Sequence, residues 1–382
     1  MRAPRLSRRE ALAGVAIGAV AGGAAMRLAD AAESAAPQAV RPFDGPRQAG
    51  IVPPPQDHLT LAAFDLHTPD RADLPRLLRS WTELVVALCG ADPVAHDTGE
   101  RTGLALGRLT VTVGFGTSLF DGRYGLGARR PAGLAPDALP GDDRLDPRRS
   151  GGDLLVQVRG DDRQVVFHAV HQLTNAALGI ARRRWTQHGF LSRAGSGETP
   201  RNLFGFKDGT VNPGADDDAA LARHVWVASG PLTGGTYLVY RRIRMRMQAW
   251  DRSSLDVQEH AVGRRKAGGG ALDGGDERAP LALRSAPPRS HVRLAHPDAN
   301  DGVRMLRRAY NYDDGATADG EPDAGMAFLC FVADPARQVG SMLTRMERHD
   351  ELHRYLVHTG GGVYAVPLAP APGEHLGEEL FR

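Results

Sequence analysis

The sequence predicts an α+β fold built from two related halves, each an antiparallel sheet with helices packed on one face. Three observations point there. The chain has 382 residues, enough for two domains or one large duplicated one. Its body reads as strands by alternation interleaved with amphipathic helices. The third observation is an echo: "LLVQVRGDDRQVVFHAV" near residue 155 is matched by "AFLCFVADPARQVGSML" near residue 328. Each is an apolar strand, an acidic turn, then Arg-Gln-Val opening a helix. A strand-helix unit used twice this far apart suggests a duplicated half, and chance likeness is the alternative.

The elements follow in order. Residues 1–31 hold Arg8-Arg9, a weakly apolar run from Ala11 to Met26, and Ala29-Asp30-Ala31, a small-x-small cleavage pattern. That is a signal-peptide layout, and the paired arginines point to the twin-arginine export route. The apolar run is too short to span a bilayer. Residues 32–56 are rich in Pro, Ala and Gln and read as a linker. "HLTLAAFDL" is a strand, "RADLPRLLRSWTELVVALCG" an amphipathic helix and "RLTVTVGFG" a strand. Residues 121–152 are loop. "TYLVYRRIRMRMQAW" is one long strand-like run, "DRSSLDVQEHAVGRRK" a helix, and residues 267–290 Gly/Pro-rich loop. The expected divisions are a signal at 1–31, a linker at 32–56, an N-terminal half at 57–215 and a C-terminal half at 216–382.

Composition excludes several functions. Hydrophobic residues are 42% and charged ones 24%, ordinary for a globular protein. Of 47 basic residues only Lys207 and Lys266 are lysines. With arginines this common, one near a candidate site says little by itself. The formal charge is +2, but residues 1–31 carry five arginines and two acids, so the remainder is −1. A near-neutral body without a basic run does not support nucleic-acid binding. Cys89 and Cys330 lie far apart in apolar segments and read as two buried thiols, with one disulfide as the alternative. No HxH, HExxH, GxSxG or Walker loop occurs.

The chemistry gathers in two stretches. "NLFGFKDGTVNP", residues 202–213, contains Asp208-Gly209, one of seven Asp-Gly pairs in the chain. Such pairs are usually turns. "SHVRLAHPDANDGVRMLRRAYNY", residues 290–312, has a strand-like start and holds His291, Arg293, His296, Arg307 and Arg308. Together these stretches resemble the dye-decolorising peroxidases, haem enzymes marked by a GxxDG motif. Gly205, Asp208 and Gly209 match that motif, "SHVRLAHP" matches the ligand segment, and "LRRAY" the segment carrying a distal arginine. "LDPRRSGGDLLVQV", "YLVYRRIRMRMQAWDR" and "TGGGVYAVP" are also similar to family segments. The twin-arginine signal makes the chain resemble the exported branch that includes the deferrochelatases.

The resemblance implies duplicated ferredoxin-like halves, as in a dimeric α+β barrel, with one haem b per chain in the C-terminal half. It implies His291 as the iron ligand and Asp208 with Arg307 as the catalytic distal pair. It places Gly209, Thr210 and Val211 on one side of the haem, and His296, Pro297 and Asp298 along the other. Arg293 would pair with a propionate. His296 and, after it, His260 are rival axial ligands. A second GxxDG, "GALDG" at Gly270–Gly274, reads as loop. Hydrogen peroxide and a phenolic, dye-like or porphyrin reductant are the implied substrates, in the periplasm or outside the cell. A haem-binding protein that releases iron for uptake is the alternative. Homo-oligomers and iron-uptake operon partners are left open.

The residue types suit the reaction. Cleaving peroxide requires a base that takes a proton from one oxygen and returns it to the other. A carboxylate is ionised well below neutral pH and serves as that base. A fixed guanidinium stabilises charge on the departing oxygen, worth roughly 3–4 kcal/mol. Trp81, Trp185, Trp226 and Trp250 read as core residues, with electron relay as the alternative.

Overall fold

Strand β1 (His58–Leu66) lies between β3 (Leu154–Gly160) and β4 (Ala181–Phe190), antiparallel to both. This is the computed structural model, which describes residues 42–43, 45–90, 94, 97–134, 139–141, 144–193, 195, 198–209 and 212–381. The expected signal at 1–31 therefore lies outside the described residues, as do Thr210 and Val211. With β2 (Thr110–Gly116) the first half has the order β2-β3-β1-β4. The second half uses β5 (Thr236–Met245), β7 (Tyr310–Ala316), β8 (Pro322–Val332) and β9 (Leu356–Val366) in the order β9-β5-β8-β7. Numbered within each half, both orders read the same, a ferredoxin-like sheet made twice. The echoed segments are β3 and β8, the third main strand of each half. A short β6 (Leu306–Arg307) adds to β8.

Thin seams join the sheets: Phe115 and Gly116 against Ala365 and Tyr364, and Phe190 against Asn311. The eight long strands thus close on themselves, which removes exposed edges. Alternation explains why both faces of β1 bury residues. Leu59, Leu61 and Ala63 face Leu238, Tyr310 and Phe331 of the other half, while Ala62, Phe64 and Leu66 face the helices.

Helix α1 (Asp73–Gly90) buries Leu74, Leu77, Leu78, Trp81, Val85 and Leu88, one helical stripe. Helix α2 (Arg163–Ala176) starts at Asp162, whose carboxylate accepts from the Gln164 and Val165 amides. The C-terminal half has the shorter helices α3 (Asp218–His224), α4 (Met247–Asp251), α5 (Leu255–Val262) and α6 (His291–Leu294), and then a π-helical segment (Ala336–Gly340) that runs directly into α7 (Ser341–His349).

Three expectations are corrected, and one strand had no counterpart in the sequence reading. The described part of the 32–56 linker is packed into the fold, because its polar groups find partners there. Gln48 Nε2 donates to the Val113 and Pro367 carbonyls, Ile51 is buried, and Gln56 Nε2 donates to Arg108 O. The "TYLVYRRIRMRMQAW" run divides into β5 and α4. The start of "SHVRLAHP" is a helical turn, not a strand. Strand β4, "ARRRWTQHGF", carries three outward arginines that hid its inward Ala181, Trp185 and Gln187. Cys89 and Cys330 are free and buried, and burial pushes both thiols up to about 12.

Candidate active site

The 202–213 stretch folds as a tight loop. Asn202 and Phe206 exchange hydrogen bonds, Asn202 N to Phe206 O at 2.9 Å and Phe206 N to Asn202 Oδ1 at 3.2 Å. Gly205 and Gly209 sit at φ +85° and +106°, where a side chain is strained. A Cβ on Gly205 would also meet Lys266 Cε at 2.7 Å. The Asp208 amide donates to Pro200 O at 2.9 Å, which fixes the direction of its side chain.

That carboxylate meets Arg307, whose Nη1 donates to Asp208 Oδ1 at 3.1 Å. Arg307 is held by strand pairing, opposite Cys330, and by Asn212 from the motif stretch itself. Arg307 N donates to Asn212 Oδ1 at 2.9 Å, and Asn212 Nδ2 donates to Arg307 O at 3.2 Å. So this Asp-Gly differs from the others: its loop grips the backbone and the side chain of one arginine. Arg308 instead donates to the Val52 and Arg307 carbonyls.

His291 opens α6. Its Nδ1 lies 2.7 Å from Asp350 Oδ2, beyond the end of α7. The Asp350 side chain is 2% exposed. Burial works against the imidazolium, but the charge and hydrogen bond of Asp350 outweigh it, with Asp208 adding and Arg307 opposing. The net result is a His291 pKa above the usual histidine value. The Asp350 bond leaves Nε2 as the ring nitrogen for a metal, a carboxylate–histidine arrangement that orients a ligand.

Asp208, Arg307 and His291 all line one cavity of about 240 Å³. Its walls are largely apolar, including Phe204, Ile243, Met326, Phe328 and Leu352, and Arg241 and Arg304 also line it. A second cavity of about 160 Å³ shares Asp208, Gly209 and Arg307 but lacks His291. One imidazole with a committed Nδ1, apolar walls, and guanidiniums able to meet carboxylates together fit an iron porphyrin.

The other expected residues divide. Gly209, His296 and Pro297 line the larger cavity. Arg293 does not: its Nη1 donates to Ala286 O at 2.7 Å. Asp298 is 75% exposed and lies off the cavity wall. His260 is exposed on α5, outside the cavity. His296 Nδ1 accepts from the Asp298 amide at 3.2 Å. The "GALDG" stretch is a loop, with Ala271 bridged to Arg264 and Gly274. All four tryptophans are buried. Sequence reasoning missed Asp350, Asn212 and Arg241. Asp350 sits in the charged run "RHDELH", where nothing marks one acid as buried. Asn212 lay within the quoted motif stretch, and its spacing from Asp208 was the available signal.

Comparison with known proteins points to one family. Family models described as "Dyp-type peroxidase, N-terminal" and "Dyp-type peroxidase, C-terminal" match residues 48–191 and 199–370. The dye-decolorizing peroxidase of Thermobifida fusca is 37% identical, over 88% of this chain and 84% of its own. The deferrochelatase of Escherichia coli O157:H7 is 34% identical, over 98% of this chain and 97% of its own. Ferric DtpA from Streptomyces lividans superimposes with a TM-score of 0.84 at 38% identity, covering 91% of this chain and 99% of that one. Fold and site thus define a haem-binding peroxidase. The chain belongs to the Dyp-type peroxidase family.

Proposed function

We propose that Asp208 and Arg307 act on hydrogen peroxide at a haem held by His291. One observation carries this reading: all three side chains line one cavity, while only the Asp208–Arg307 pair also opens onto the second. Haem, when bound, supplies the redox centre at which peroxide is reduced and the reductant oxidised. Asp208 takes a proton from one peroxide oxygen and delivers it to the other, which departs as water. Arg307 orients Asp208 at 3.1 Å and stabilises charge on the departing oxygen. Asp350 holds the His291 ring and raises its basicity. Arg241 and Arg304 are the propionate partners in this reading, in place of Arg293. The electron donor is a phenolic, dye-like or porphyrin compound.

Iron release from haem is the second reading, favoured by the deferrochelatases that match nearly the whole chain. Two assays on the haem-loaded protein separate the readings. Peroxide-dependent oxidation of a phenolic dye supports the first. Release of iron from added haem with intact porphyrin, and no dye oxidation, supports the second. The route out of the cytoplasm rests on residues 1–31. Replacing Arg8 and Arg9 with Lys is expected to leave the protein in the cytoplasm. A secreted mature mass that still includes residues 1–31 would contradict cleavage near Ala31.

A further inference from the structure

We propose that the loop of residues 264–279, which carries the second GxxDG pattern, is a clasp that aims Asp208, with Glu277 as its positioning residue. This role rests on the reading of Asp208 and Arg307 as the peroxide-handling pair.

Asp208 is held by its neighbours as well as by its own loop. Its amide donates to Pro200 O at 2.9 Å. Glu277 grips the residue beside each end of that bond. Its carboxylate pairs with Lys207, one residue before Asp208, and accepts at 2.6 Å from Thr199 Oγ1, one residue before Pro200. One acid thus ties together the two chain segments whose hydrogen bond directs the Asp208 side chain. Arg201 makes a second tie between the motif loop and the clasp. Its Nη1 donates to Gly205 O and to Lys266 O, and its Nη2 to Ala267 O, each at 2.7 Å. The Arg201 backbone also bridges to Lys207.

The clasp has its own internal support. Arg264 Nη1 donates to Gly269 O and to Glu277 O, both at 3.1 Å, and Arg265 N donates to Gly270 O at 2.8 Å. Ala271 bridges to Arg264 and Gly274. These bonds fix the backbone from which Glu277 reaches. Arg278 is no rival for its carboxylate, since it lies 4.0 Å away and is 75% exposed.

The lysines mark this seam. Only two of the 47 basic residues are lysines, and both stand here. Close approach explains the choice. A Cβ on Gly269 would meet Lys207 Cδ at 3.0 Å and Glu277 Cβ at 3.1 Å, and one on Gly205 would meet Lys266 Cε. A slim stem with a compact ammonium fits such a gap better than a planar guanidinium. A single ion pair near the surface adds little stability. What Glu277 adds is placement, and a misplacement of about 1 Å costs a reaction up to about 10²-fold.

The test is stopped-flow mixing of haem-loaded protein with hydrogen peroxide, using Glu277→Ala, Asp208→Asn and the double variant. Glu277→Ala should slow the first absorbance change about 10-fold, with haem content and resting spectrum unchanged. In the Asp208→Asn background the same substitution should have no further effect, because the clasp acts through that carboxylate. Glu277→Gln keeps the side-chain length and the acceptor for Thr199. It should recover part of the rate, which separates positioning from a failure to fold. Glu277→Ala reacting at the unmutated rate while Asp208→Asn is slow overturns the clasp and leaves the peroxide reading standing. So does a Glu277→Ala loss that persists in full in the Asp208→Asn background. Asp208→Asn reacting at the unmutated rate overturns the peroxide reading, and the clasp with it.

Discussion

The two halves share one topology and use it in opposite ways. In the N-terminal half, α1 and α2 lie directly on the sheet, and Leu78, Trp81, Val165 and Leu173 fill the space between. In the C-terminal half three short helices, α4, α5 and α6, replace the single long helix after the first strand, and a cavity of about 240 Å³ opens among them and α7. Each half ties the helical layer after its first strand to the one after its third. In the first, Trp81 Nε1 donates to Leu173 O at 2.9 Å. In the second, His291 Nδ1 meets Asp350 Oδ2 at 2.7 Å. One crosslink belongs to a solid core and the other to a ligand-holding histidine. A duplicated fold thus acquires a site where one copy gives up its packing.

The sharpest way to break this contrast is to remove the histidine. His291→Ala should lose most bound haem and its histidine-ligated absorbance spectrum, whereas His296→Ala and His260→Ala should keep both. Next comes its partner: Asp350→Asn is expected to weaken haem retention about 10–100-fold, measured by transfer of haem to an acceptor protein. The equivalent crosslink in the packed half should behave otherwise. Trp81→Phe keeps an aromatic ring but loses part of the buried indole and its hydrogen bond, costing about 2–3 kcal/mol in urea unfolding with an unchanged haem spectrum.

The smallest effect concerns the loop beneath the motif. Glu277 pairs with Lys207, next to Asp208, and accepts from Thr199 Oγ1 at 2.6 Å. Its carboxyl is held below the ordinary 4.5, first by the Lys207 bond and then by Thr199. A depressed folded pKa gives stability that is complete above the ordinary value and lost as pH falls through the folded one. Glu277→Gln should therefore cost about 1 kcal/mol or less at neutral pH. The difference from the unmutated protein should shrink on acidification below pH 4.5. A constant difference across that range would contradict the ion pair.

The same contrast explains what could be read in advance. β1, α1, β3 and α2 were legible because a solid core imposes clean periods of 2 and 3.6 on the residues that fill it. β4 was not, since its arginines face outward in a row. The "SHVRLAHP" turn was misread as strand because four residues are too few to show a period. The contact between Asp208 and Arg307 was legible through the family resemblance of their two segments. Asp350 was not, because an acid is marked as a ligand's partner only by the fold that buries it. The packed stretch after residue 44 looked like linker, since prolines and glutamines carry no apolar period. Its anchors are arginines of distant strands, among them Arg159 and Arg308.

Stopped-flow mixing of the ferric haem-loaded protein with hydrogen peroxide tests the central claim most directly. Asp208→Asn and Arg307→Leu should each slow the first absorbance change, by about 10²–10³-fold for Arg307→Leu, with haem still bound. The double variant should lose less than the product of the two single losses, as for groups that act as one unit. If both single variants react at the unmutated rate with haem in place, the Asp208–Arg307 pair is a structural ion pair and peroxide is handled elsewhere.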